Sequence, residues 1–174
     1  ILDHAVNGAL LLGHQIIRKG DKIGLLTFSD QAHEFLPPNR GKNHFFSFVR
    51  NLYTIQARKV NADYEKALEK ITSTRLKRSM LMIITDLTSG EAVSKMLKSI
   101  PLVSRKHLPV VISIIDPVVK KAADELPATP SDLYQKVVAR SIISRIKSLT
   151  RNIEQMGVAT IMVTPKQLNS SLLS

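Results

Sequence analysis

The chain has 174 residues, 44% apolar and 22% charged, which fits one folded domain with its own core and excludes a disordered chain. Lys and Arg outnumber Asp and Glu by 25 to 14, a formal charge of +11. There is no cysteine, so disulfides, thiol catalysis and cysteine zinc sites are excluded, and no apolar run approaches the ~20 residues that span a bilayer.

A basic chain favours acidic partners, nucleic acid or anionic membrane surfaces. The cations are dispersed, however, in short runs such as TRLKRS (74–79) and SRKH (104–107), and aromatics make up 5% of the residues. No interleaved aromatic and basic platform for stacking bases is present. A solvated or membrane-facing basic surface is the expectation, and nucleic-acid binding is not.

Helical and strand signals alternate along the chain. Leu2, Ala5, Val6, Ala9, Leu10, Ile16 and Ile17 share one helix face over residues 1–19, and Gly20 suits the left-handed cap. KIGLLTF (22–28) predicts a buried strand. AHEFLPP (32–38) predicts a short edge strand ended by its prolines. Asn43 is placed to cap a helix through Leu52. Asp63 opens another, with Tyr64, Ala67, Leu68 and Ile71 on one face.

SMLMIIT (79–85) is the strongest strand signal. It ends at Asp86, and Thr88 with Glu91 forms a capping box for a helix to about Ile100, where Pro101 disrupts it. LPVVISII (108–115) is a further buried strand, ending at Asp116-Pro117. Residues 117–130 read as a proline-bearing loop. Ser131 then caps a long helix with Tyr134, Val138, Ile142, Ile146, Leu149 and Ile153 inward, stopped by Gly157. VATIMV (158–163) is the last strand, and Thr164, Pro165 and Gln167 start a closing helix.

Near-continuous apolar strands separated by helices imply parallel strands covered on both faces, a doubly wound α/β domain. Sites in such sheets lie beyond the carboxyl ends of the strands. Ser29, Asp30, Asp86 and Asp116 stand at such ends.

Several chemistries lack their motifs. RGKN (40–43) holds a Gly-Lys pair, but Leu36 occupies the first glycine's place and Asn43 the hydroxyl's, so no phosphate-cradling loop forms. Neither G-x-S-x-G nor G-x-G-x-x-G occurs. The five histidines (4, 14, 33, 44 and 107) show no metal-ligand spacing. No catalytic set emerges, and no small-molecule substrate is implied.

GDKIGLLTFSDQAHEFLPPNRGKNHFFSFVRNLY, then ADYEKAL, RSMLMIITDL and DLYQKVVARSI, resemble in this order the von Willebrand factor A-like domain of the bacterial family called domain of unknown function fifty-eight. The resemblance covers nearly the whole chain. It implies a mostly parallel sheet with helices on both faces, in the order 3-2-1-4-5-6. It also implies a binding module associated with MoxR-type AAA+ ATPases and acting in assembly or maturation of other complexes.

Many such domains hold Mg²⁺ or Mn²⁺ through D-x-S-x-S after the first strand, a threonine in a second loop and an aspartate in a third. The third-loop aspartate matches Asp86. The threonine's place falls on Ala62, which offers no oxygen, with Asp63 adjacent as a substitute; D-x-S-x-S has no counterpart. The implied metal residues are therefore Asp86 and Asp63, a degenerate site. The resemblance also makes residues 1–174 a single domain belonging to a longer protein at the cytoplasmic membrane face. Its first central strand is missing, so strands 22–28 and 79–85 are separated unless the sheet closes on itself or borrows a strand. The competing readings are a metal-dependent hydrolase or phosphoryl-transfer enzyme using Asp86, with Asp63 or Asp30 as its second carboxylate, and a basic nucleic-acid-binding domain.

Overall fold

The computed structural model describes residues 2–56, 60–87, 90–165 and 167. In chain order the elements are α1 (Leu2–Arg18), β1 (Ile23–Phe28), β2 (Ala32–Asn39), α2 (Lys42–Tyr53), α3 (Tyr64–Ser73), β3 (Met80–Thr85), α4 (Gly90–Lys106), β4 (Leu108–Ile114), α5 (Pro117–Asp124), α6 (Pro130–Gln155) and β5 (Ala159–Val163).

The strands form two sheets among the described residues. β1 and β2 make an antiparallel hairpin, with Ile23 opposite Asn39 and Phe28 opposite Ala32. β3, β4 and β5 make a parallel sheet with β4 in the middle. β1 and β3 do not pair, so closure by their direct pairing does not occur. The fold is thus mixed α/β with a three-stranded parallel sheet and a separate hairpin, and strands 22–28 and 79–85 are apart, as the resemblance implied.

Alternation along the strands sorts the core into layers. Ile83 and Val111 face α3, α4 and α6, where Leu68, Met96, Ile100, Val103, Ile146 and Ile153 bury them. Met82, Ile84, Ile112 and Ile114 point to the opposite face and meet Ala5 and Leu12 of α1. β4 is apolar on both faces because both are covered. Ile23 and Leu25 of β1 pack with α1 and α2. Gly13 lets α1 and α2 close: a Cβ there would lie 2.6 Å from the Phe48 ring and 2.9 Å from Ile23.

Helix ends follow local chemistry more closely than the sequence reading did. Gly20 and Gly157 adopt positive φ as expected, at 77° and 78°. α2 starts at Lys42, and its cap is Gly41 at φ 93°, not Asn43. α4 runs through Pro101 to Lys106. The proline removes one backbone donor, but Met96, Ile100 and Val103 hold both sides of it in the core. The expected loop at 117–130 contains α5, capped by Asp116 with Pro117 at its first turn. α6 is capped by Thr129 instead of Ser131, with Pro130 and a reciprocal Thr129–Asp132 capping box.

Tyr134 and Val138 are exposed, not inward. The reason is the length of α6. Arg145 reaches Gly90 at the start of α4, just past the end of β3. Ile142 is the first residue of α6 packed on the core of the sheet, so residues 130–141, about 18 Å of helix, extend beyond it. There α5 replaces the sheet as the packing partner: Ala123 and Ala139 are buried, and Arg140 Nε donates to the Ala123 carbonyl at 3.4 Å. The expected Thr88–Glu91 box and most of the closing helix lie outside the described residues, although Thr164 N–H donates to Gln167 Oε1 at 3.0 Å.

Candidate functional site

The carboxyl ends of β1, β3 and β4 bring Ser29, Asp30, Asp63, Asp86 and Asp116 to one end of the molecule. The link from β1 to α3 is a backbone bond, Asp63 N–H to the Ser29 carbonyl at 2.7 Å. The link from α3 to β3 is Tyr64. Its ring packs edge-on against Phe28, with centroids 5.2 Å apart, and its hydroxyl bonds Thr85 Oγ1. Thr85 Oγ1 also accepts the Leu87 N–H at 3.2 Å. Burial pushes the Tyr64 hydroxyl pKa up, the Thr85 bond opposes that, and the nearby Asp86 charge adds to the rise.

Past Thr85 the backbone turns sharply. Leu87 has φ 52°, a left-handed conformation uncommon for a bulky residue, with its side chain fully buried in the core. This turn sets Asp86, half-buried, at the rim of the sheet.

Asp63 is committed to α3. Its Oδ1 accepts the Lys66 N–H at 3.1 Å and its Oδ2 meets Lys66 Nζ at 3.1 Å. These bonds, the backbone one first, hold its carboxyl below the usual range. Lys66 Nζ also reaches the Asp30 carbonyl at 3.3 Å. Ser29 Oγ donates to Asp30 Oδ1 at 2.7 Å and lies 2.6 Å from His33 Nε2. Asp116 accepts the Val118 N–H at 2.8 Å as the cap of α5. Glu91, then Asp63 and Glu65, raise the Lys95 pKa.

Asp86 and Asp63 are therefore at the same end, as the sequence places them. They do not make a metal centre alone. Ala62 supplies no donor, both Asp63 oxygens are bonded to Lys66, and no group of three His, Asp or Glu able to hold an ion occurs among the described residues. Mg²⁺ takes about six oxygens in octahedral array, and this donor set falls short of that.

Two features of this end escaped the sequence reading. One is the Tyr64–Thr85 bond, whose signal was a tyrosine on a core-facing stripe, since a buried phenol needs a partner. The other is Ser113 on β4, register partner of Thr85, which is 2% exposed and whose hydroxyl finds no partner among the described residues. Nothing in VVISII marks that serine as unsatisfied.

Residues 2–132 match the family described as protein of unknown function DUF58. The chain belongs to the DUF58 family. No curated protein matches it. Among solved structures, the DUF58 chain is similar to an aerotolerance-related membrane protein from Bacteroides fragilis NCTC 9343 carrying multiple mutations to serine. That likeness has 15% identity and a TM-score of 0.54, and covers 98% of this chain and 87% of the other. It is also similar to the conserved hypothetical protein BatB from Bacteroides thetaiotaomicron, at 14% identity and a TM-score of 0.53, over 99% of this chain and 88% of the other. Both likenesses concern the fold alone. No helix among the described residues of the DUF58 chain is long and apolar enough to cross a membrane.

Proposed function

We propose that this DUF58 chain is a non-enzymatic protein-interaction module that recognises its partner with the end of the molecule bearing Asp30, Asp63, Asp86 and Asp116. The observation that carries this reading is how the carboxylates are held. Asp63 and Asp116 cap helices, and Asp63 is tied to Lys66, so they form a fixed acidic surface instead of a poised acid and base. The partner we propose is a MoxR-type AAA+ ATPase, on the strength of the sequence resemblance, in assembly or maturation of other complexes.

We also infer that the two sheets are parts of one von Willebrand factor A-like sheet, completed by a strand between β1 and β3 from another segment or another chain. α1 packs on both β1 and the β3–β5 sheet, and Tyr64 of α3 bridges Phe28 and Thr85 on the opposite face. Both strands thus lie between the same two helices with facing edges unpaired among the described residues.

The test is calorimetric titration of the purified chain with a MoxR-type ATPase from the same genome. Asp30→Lys with Asp86→Lys should weaken binding at least tenfold while the melting temperature holds. Unchanged binding by this variant defeats the interaction surface. A phosphatase or hydrolase activity abolished by Asp86→Ala defeats the non-enzymatic reading.

A further inference from the structure

The opposite end of the molecule, where β1, β3 and β4 begin, carries another chemistry. Four chain reversals meet there. The α1–β1 turn brings Arg18, Lys19 and Lys22. Pairing of Asn39 with Ile23 returns β2 to the same end, with Arg40 and Lys42 just beyond. The α3–β3 turn adds Arg75, Lys77 and Arg78, and the α4–β4 turn adds Arg105 and Lys106. Lys106 Nζ donates to the Thr72 carbonyl at 2.7 Å and draws the last two turns together.

All ten cations are exposed, and Asp21 is the lone carboxylate in these four turns. Of the acids just beyond the turns, Glu154 at the end of α6 accepts a bond from the Thr160 hydroxyl, and Glu69 stands one turn before Thr72 on α3. The ion pairs found among the described residues use Lys66, Lys95, Lys120 and Lys121, none of these ten.

Apolar side chains stand exposed among the cations. Met80 is 60% exposed and Leu108 50%, and the two are register partners at the first rung of the parallel sheet. Leu102 on the last turns of α4 and Met156 at the end of α6 are 56% and 40% exposed. Phe46, exposed one turn into α2, is the nearby aromatic. Cations with interspersed methionine, leucine and phenylalanine match a surface with phosphates outside and hydrocarbon beneath. A single ring offers no ladder for successive bases, which weighs against nucleic acid.

We propose that this basic end is a docking surface for an anionic lipid bilayer: its cations meet lipid phosphates while Met80, Leu108 and Leu102 enter the headgroup layer. Bound in this way, the chain turns its acidic end, with Asp86, toward solution. The proposal is independent of the interaction reading above, since it uses other residues and another ligand.

Sedimentation with vesicles tests it. The chain should bind vesicles of phosphatidylglycerol and phosphatidylcholine at low salt, lose most binding at high salt, and ignore pure phosphatidylcholine. Each cation near the surface contributes roughly fivefold, so Lys77→Gln, Arg78→Gln and Arg105→Gln together should lower the partition coefficient about a hundredfold. Met80→Ser with Leu108→Ser should lower it severalfold and make the remainder wholly salt-sensitive. Lys120→Gln with Lys121→Gln, on α5, should change little; melting curves control for folding, and the single variants serve if a combination misfolds. Equal binding to both vesicle types, or no loss in the triple variant, overturns the proposal. Tight binding to DNA without vesicle binding overturns it in favour of a nucleic-acid surface.

Discussion

Tyr64, Thr85 and Leu87 form a chain of bonds that fixes the loop presenting Asp86. Thr85→Val would leave the buried Tyr64 hydroxyl and the Leu87 N–H without their partner. Each unsatisfied group costs about 1–3 kcal/mol, so this variant should lower the unfolding free energy by about 2–6 kcal/mol in urea titration. Tyr64→Phe should cost only about 1 kcal/mol, because Thr85 keeps the Leu87 bond. Ser113 should behave oppositely. Its hydroxyl is buried without a partner among the described residues, so Ser113→Ala should be neutral or raise stability by up to about 1 kcal/mol. At this scale the sequence was legible where a residue type carries its own demand. Asp63 was readable as a cap because a carboxylate just before an amphipathic run accepts the free backbone N–H groups of the first turn. The Leu87 backbone was not, because leucine gives no sign of a left-handed conformation.

At the scale of elements, apolar periodicity located the major helices and strands, and it failed where a helix changes partner. α6 has one period throughout, yet its second half packs on the sheet while its first half packs on α5. Tyr134 and Val138 therefore share the spacing of core residues without a core to enter. Tyr134→Ser and Val138→Ser should each change stability by no more than about 0.5 kcal/mol, whereas Ile146→Ala should cost about 2–5 kcal/mol; thermal melts separate the two. Asp116-Pro117 was legible as a strand end but hid a helix start, since the same pair serves as a turn or as a cap followed by a first-turn proline. Pro101 misled for a different reason. The proline penalty is local, and burial of Met96, Ile100 and Val103 around it outweighs it.

For the whole molecule, helices on both faces followed from apolar strands alternating with helical runs, and the separation of β1 from β3 followed from the family resemblance; periodicity alone does not give that separation, because an apolar strand reads the same with one neighbour or two. Two bulk measurements bear on the ends of the sheet. Millimolar Mg²⁺ or Mn²⁺ should leave the melting temperature of this chain unchanged, since Asp63 is occupied and Ala62 has no donor. A rise that Asp86→Ala abolishes would show a site that these donors do not provide. His107, at the junction of α4 and β4, is 2% exposed, and burial, with Lys106 adding to it, depresses its pKa. Its neutral form is the one the fold favours, so its contribution is intact above the ordinary histidine pKa of about 6.5. That contribution is lost as pH falls from there through the depressed folded value. Stability should decline on acidification below about pH 6.5, and His107→Leu should flatten the decline there.

The edges of β1 and β3 that are unpaired among the described residues have a consequence for handling this protein. Each edge offers a row of backbone groups that a strand of a second molecule can satisfy as well as any native neighbour. Refolding from denaturant should thus be a race between collapse around α1 and capture by another copy. The yield of monomer should fall as concentration rises, with light scattering as the readout, and the trapped species should be exchanged-strand oligomers rather than amorphous precipitate.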